Sequence, residues 1–89
     1  MSSSYRYYDW VLEALAGHGL RPRAATPPMA LRDALSDLYR YEIRRLRQSL
    51  LAGRILKADY AGHVIALRKR YLLLSVPVER WVMTGTEPD

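Results

Sequence analysis

Along most of the chain the apolar residues recur in steps of three and four, a spacing that predicts helices with one buried stripe rather than strands. Tyr8, Val11, Leu12 and Leu15 make the first such stripe and define a short helix over 4–16, with Ser3 or Ser4 placed to cap its first amides. Gly17-His18-Gly19 supplies the stop, with His18 positioned to meet the helix's last carbonyls. The next stretch, 20–28, holds three prolines, which lack an amide donor and drive their predecessors out of the α region, so it reads as an extended linker.

The second helix, expected over 27–52, is the most strongly patterned element. Leu31, Leu35, Leu38, Tyr39, Ile43, Leu46 and Leu50 fall on one side, and Asp33, Asp37, Arg40, Arg44 and Gln48 on the other. Thr26 ahead of Pro27 fits its start and Gly53 its stop. The third helix, expected over 59–74, carries Tyr60, Val64, Leu67, Tyr71 and Leu74 at heptad-like spacing, with Asp59 in its first turn. Only Gly53 to Ala58 separates the two long helices, so they are expected to fold back antiparallel, seam on seam, with the first helix covering the open side. Ile65 and Leu72 fall outside that seam and form a second apolar edge that needs a cover of its own. Residues 75–83 read either as a short helix or as an extended strap that docks Trp81 on the bundle. The expected fold class is therefore all-α: a small three-helix bundle centred on an antiparallel α-hairpin, with a short C-terminal helix or strap. One domain over 1–83 is followed by a mobile polar tail at 84–89.

Composition narrows the function classes. Apolar residues make up 49% of the 89 positions, enough to fold, but a chain this short has a modest core, which makes a second copy or a partner an expected completion. There is no cysteine, which removes disulfides, thiolate catalysis and cysteine-held metal centres together. The first eight residues contain three serines and no apolar core segment, and no later run reaches the ~18 apolar residues of a membrane span. The expected location is the cytoplasm, with membrane association disfavoured.

Charge is concentrated in the middle. Between positions 40 and 70, nine lysines and arginines stand against Glu42 and Asp59, a local balance of +7 in a chain whose overall charge is +5. Such a segment fits either solvated helix faces or contact with phosphates or an acidic protein surface. Because the ends of the two long helices point in opposite directions, Arg44 to Arg47 are expected to lie apart from Arg68 to Arg70 along the hairpin. Most tyrosines are claimed by apolar stripes. Tyr41 is the exception, on the polar face beside Arg44 and Arg45, a combination that protein interfaces favour, and Tyr5 and Tyr7 are expected to be exposed near the start.

Dedicated chemistry is sparse. Asp59 and His63, one turn apart, supply two ligands and no metal site, and no phosphate-binding glycine loop or nucleophile elbow is present, so no cofactor is expected. Leu31-Arg32-Asp33-Ala34-Leu35-Ser36-Asp37-Leu38 is similar, over one helix, to the first helix of small all-α chorismate mutases. That resemblance implies arginines around a dianionic substrate, with Arg32, Arg47 and Lys57 as the cations and Glu42 as a polar partner. On spacing alone, an ion pair of Glu42 with Arg45 is the simpler expectation.

The residues thus point first to a non-enzymatic accessory or adaptor protein acting through protein–protein contact or self-association, with Tyr41, Arg44, Arg45, Arg68 and Trp81 as contact residues. The alternative is a nucleic-acid-binding protein using the basic 40–70 segment. The third is a small all-α enzyme with a cationic pocket for an anionic substrate.

Overall fold

A computed structural model describes residues 4–83 of the chain, and the tail expected at 84–89 and the cap expected of Ser3 lie outside the described residues. The protein is all-α. Its elements are α1 (Asp9–Ala16), α2 (Pro28–Leu51) and α3 (Lys57–Arg70), followed by 3₁₀ turns at Leu72–Ser75 and Val78–Arg80. Among the described residues the only strand-like pairing is a single antiparallel bridge between Tyr7 and Val82. No helix there is long and apolar enough to cross a membrane.

The first helix is shorter than its pattern suggests. Residues 5–8 are extended, because their backbone groups are taken by other segments: the Tyr5 N–H donates to the Ala24 carbonyl (2.7 Å), the Tyr8 N–H to the Trp81 carbonyl (3.2 Å), and the Met83 N–H to the Arg6 carbonyl (2.7 Å). A run of tyrosines suits extended backbone, and the alternation of strands replaces the helical stripe, so Tyr7 points inward and Tyr8 is exposed. The expected exposure of Tyr7 is corrected accordingly. Its ring is buried and its hydroxyl donates to the Thr26 carbonyl at 2.6 Å.

α2 begins one residue later than expected. Pro27 occupies the cap position and Pro28 the first helical position, while Thr26 Oγ1 accepts the Arg23 N–H at 2.9 Å and so closes a turn in the linker instead of capping the helix. Both α1 and α2 stop in the same way. The Leu20 N–H returns to the Leu15 carbonyl across Gly19, and the Arg54 N–H to the Ser49 carbonyl across Gly53, each at 2.9 Å. These two glycines hold φ values of +78° and +77°, a backbone that L side chains resist. No atom lies within 4 Å of a Cβ added at Gly53, so Gly53→Ala tests conformation alone. It should cost about 1 kcal/mol and lower the melting temperature by ~4–8 °C, readable by circular dichroism.

α3 also differs from its expected span. It starts at Lys57 on a Leu56 cap, so Asp59 sits inside the first turn, and it gives way to 3₁₀ geometry after Arg70. Contacts between α2 and α3 run in antiparallel order about Leu56: Glu42 meets Arg70 and Tyr71, and Ser49 shares a groove with His63.

The core lies at one end of a molecule 58 Å long and only 18 by 16 Å across. It is formed by Tyr7, Val11, Leu15, Leu31, Leu35, Leu67, Tyr71, Leu73 and Trp81. Residues 75–83 take the strap conformation, tightened by 3₁₀ turns, and Trp81 is wholly enclosed with its Nε1–H donated to the Val76 carbonyl at 2.9 Å. The outer halves of α2 and α3 extend past this core, where Ile43, Leu46, Leu50, Tyr60 and Val64 are only half-buried.

Candidate functional site

The candidate surface lies on α2, α3 and the 3₁₀ turn that follows them. Four aliphatic side chains are left in solvent: Leu51 (80%), Leu56 (70%) and Ile65 (53%) on the projecting part, and Leu72 (63%) between the core residues Tyr71 and Leu73. Leu51 and Leu56 flank the α2–α3 turn. Ile65 and Leu72, seven residues apart, form the second apolar edge anticipated from spacing, and nothing within the described chain covers it.

Two grooves run along this part. The first has a volume of about 300 Å³ and is walled by Glu42, Arg45, Leu46 and Ser49 from α2 and by His63, Ala66, Leu67 and Arg70 from α3. The second, of about 390 Å³, is lined by Tyr39, Arg68, Tyr71, Leu72, Leu74 and Ser75, and its walls are mostly apolar. The exposed Leu72 edge is thus continuous with this second groove.

Glu42 organises the first groove. It accepts a hydrogen bond from the Tyr71 hydroxyl and pairs with Arg70 at 3.3 Å, so the expected pair with Arg45 is corrected. Register explains this: Glu42 and Arg70 lie equally far on either side of Leu56, which brings them level across the two helices. Tyr71 is held from three sides. His18 stacks on its ring with centroids 4.2 Å apart, Tyr39 meets it edge-on at 5.2 Å, and Glu42 accepts a hydrogen bond from its hydroxyl. The His18 N–H meets the Leu15 carbonyl at the end of α1 at 2.9 Å, and its ring reaches the other helix, donating Nε2–H to the Arg70 carbonyl at 2.8 Å, the last of α3.

Burial first, and then the hydrogen bond to the Glu42 carboxylate, push the Tyr71 hydroxyl from 10.0 up to about 12. A tyrosine whose folded pKa is raised contributes stability that is fully present below pH 10 and is lost as pH rises through about 12. Glu42→Gln should therefore move the Tyr71 titration back toward lower pH, leaving the burial contribution in place. Tyrosinate absorbance at alkaline pH measures this directly.

The sequence-derived contact residues separate into three groups. Tyr41, Arg44 and Arg45 are exposed together on α2, with the Arg45 guanidinium 5.9 Å from the Tyr41 ring centre. Arg68 is exposed on α3 at the rim of the second groove. Trp81 is corrected: with no exposed surface it is a core anchor and cannot touch a partner. The expected separation of the two arginine clusters is corrected as well. Arg45 and Arg70 wall the same groove, because register about Leu56 sets Arg45 level with Leu67, less than one turn from Arg70. Arg70, His63 and Ser49 are groove residues that were not among the expected contacts, and pairing positions equidistant from Leu56 would have found them.

The cations implied by the one-helix resemblance do not converge. Arg32 reaches the Leu74 carbonyl at 3.5 Å beside the core, and neither groove is lined by Arg32, Arg47 or Lys57. Among the described residues no group of three or more histidines and carboxylates is placed to hold a metal ion. No family model matches the chain, and neither a curated protein nor a solved structure matches it.

Proposed function

We propose that the protein is a non-enzymatic adaptor in which α2 and α3 act as an antiparallel helical hairpin that docks on a helical protein surface, in the first instance a second copy of the chain. The observation that carries this reading is a set of exposed aliphatic side chains: Leu51, Leu56 and Ile65 on the part that projects beyond the core, and Leu72 in the 3₁₀ turn after α3. Two layered helices bury one seam between them and leave their outer sides open, and pairing two hairpins is the common way for such layers to complete a core. A symmetric pair needs one self-complementary patch, which Ile65, Leu72 and the apolar second groove supply together.

Sedimentation of the wild type beside a variant carrying Ile65→Asp and Leu72→Asp tests the reading. The wild type should sediment as a concentration-dependent dimer and the double variant as a monomer with an unchanged helical spectrum, since both side chains are exposed in the single chain. Identical sedimentation of the two proteins would contradict it.

The rival is nucleic-acid binding through the basic segment, favoured by the exposed Tyr41 and Arg45 pair and by the local charge of +7. Binding of that kind is salt-sensitive and indifferent to Ile65 and Leu72, so the two readings part in a single salt series.

A further inference from the structure

α1 spans only eight residues, and the chain turns away from the hairpin at His18, which is fastened to the carbonyl of Arg70. Arg70 is also a wall of the first groove, so that groove opens beside the place where α1 ends, and beyond it α2 and α3 continue without a third helix. The groove's lining is more polar than apolar: Leu46, Ala66 and Leu67 give it an apolar part, and Arg45, Arg70, His63 and Ser49 bring cationic or hydrogen-bonding side chains. Its one carboxylate, Glu42, is already engaged by Tyr71 and Arg70. Arg45 makes no ion pair among the described residues and lies instead along the Tyr41 ring.

We propose that this groove receives an acidic amphipathic helix of a partner protein, laid where a longer α1 would run. Its apolar stripe would rest on Leu46, Ala66 and Leu67, and its carboxylates would meet Arg45, Arg70 and His63. The inference rests on the reading of the hairpin as a protein-docking element. Charge selects the occupant of this groove. A second copy set groove to groove would bring Arg45, Arg70 and His63 against their own equivalents. A nucleic-acid backbone would satisfy the arginines but leave Leu46 and Ala66 facing phosphate and sugar. An acidic helix with leucines at i, i+3 or i+4 and i+7 satisfies both parts of the groove.

The test uses the full chain and a fluorescent synthetic peptide of about fifteen residues, with a leucine stripe flanked by glutamates. A control peptide replaces every glutamate with lysine, and a short DNA duplex serves as a second probe. The glutamate peptide should bind, the lysine peptide should not, and the affinity should fall about tenfold or more between ~0.05 and ~0.5 M salt. Arg45→Glu should weaken binding at least about tenfold, and Ala66→Trp, which fills the groove from an exposed position, should abolish it. Arg45 lies on α2, and Ala66 faces the groove about 100° round α3 from its neighbour Ile65, so both variants should keep the wild-type helical spectrum and self-association. Equal binding of the two peptides, indifference to both variants, or binding of the duplex without the glutamate peptide would overturn the proposal. Any of these with the Ile65 and Leu72 dimer intact removes the groove assignment alone, whereas wild-type sedimentation of the Ile65→Asp, Leu72→Asp variant removes the docking reading beneath it.

Discussion

Replacing Trp81 with alanine is expected to remove most of the protein's stability. The indole has no exposed surface, fills the centre of the nine-residue core, and ties the C-terminal strap to itself through the Val76 carbonyl. Truncations of this kind cost about 3–5 kcal/mol, and a domain this small is expected near the lower end of the ~5–15 kcal/mol range of native stabilities. The loss is not confined to packing. The Trp81 carbonyl accepts the Tyr8 N–H, and Val82 pairs with Tyr7, so releasing the strap also frees the extended N-terminal segment. Urea denaturation followed by circular dichroism checks this, and a variant within about 0.5 kcal/mol of wild type would mean that the strap does not close the core.

The second large effect is expected at Leu67. Its side chain sits where α3 enters the core, and Leu67→Ala should cost about 2–5 kcal/mol. Ile65, two positions earlier on the same helix, is more than half exposed, and Ile65→Ala should change the stability of the single chain by no more than about 0.5 kcal/mol. The contrast separates the two faces of α3, one buried in the fold and the other exposed, where the proposed docking surface lies. Equal effects from the two substitutions, measured at a concentration where the chain is monomeric, would show that the faces have been wrongly divided.

Helix content, the long α2 stripe and the α3 seam were legible because each follows from spacing within one segment. Every position from Leu31 to Leu50 on the expected stripe is buried or half-buried, and Ile65 is exposed as its angular position requires, whereas the exposed Leu72 lies past the end of α3 in a 3₁₀ turn. The errors share a physical origin in contacts between segments distant in the chain. Tyr5 to Tyr8 fit a helix by period, but the backbone partners offered by Ala24, Trp81 and Met83 draw them into extended form. Trp81 was expected at the surface as a contact residue because a tryptophan near a chain end suits either an interface or a core; the strap's 3₁₀ turns decide for the core. The partner of Glu42 was set by register across the α2–α3 turn, which within-helix spacing does not contain. Of the expected contact residues, Tyr41, Arg44, Arg45 and Arg68 are at the surface, and Arg45 shares its groove with Arg70.

Under the proposed function the exposed aliphatic edge, and not the basic segment, drives association. Molar mass by light scattering, taken over a range of protein concentration and salt and repeated with short duplex DNA and RNA, separates the two. The expected result is a mass rising to twice that of one chain, unchanged by high salt and by either duplex. A chain that stays monomeric at every concentration, and joins a duplex at low salt only to release it at high salt, would contradict it and make the basic segment a nucleic-acid site.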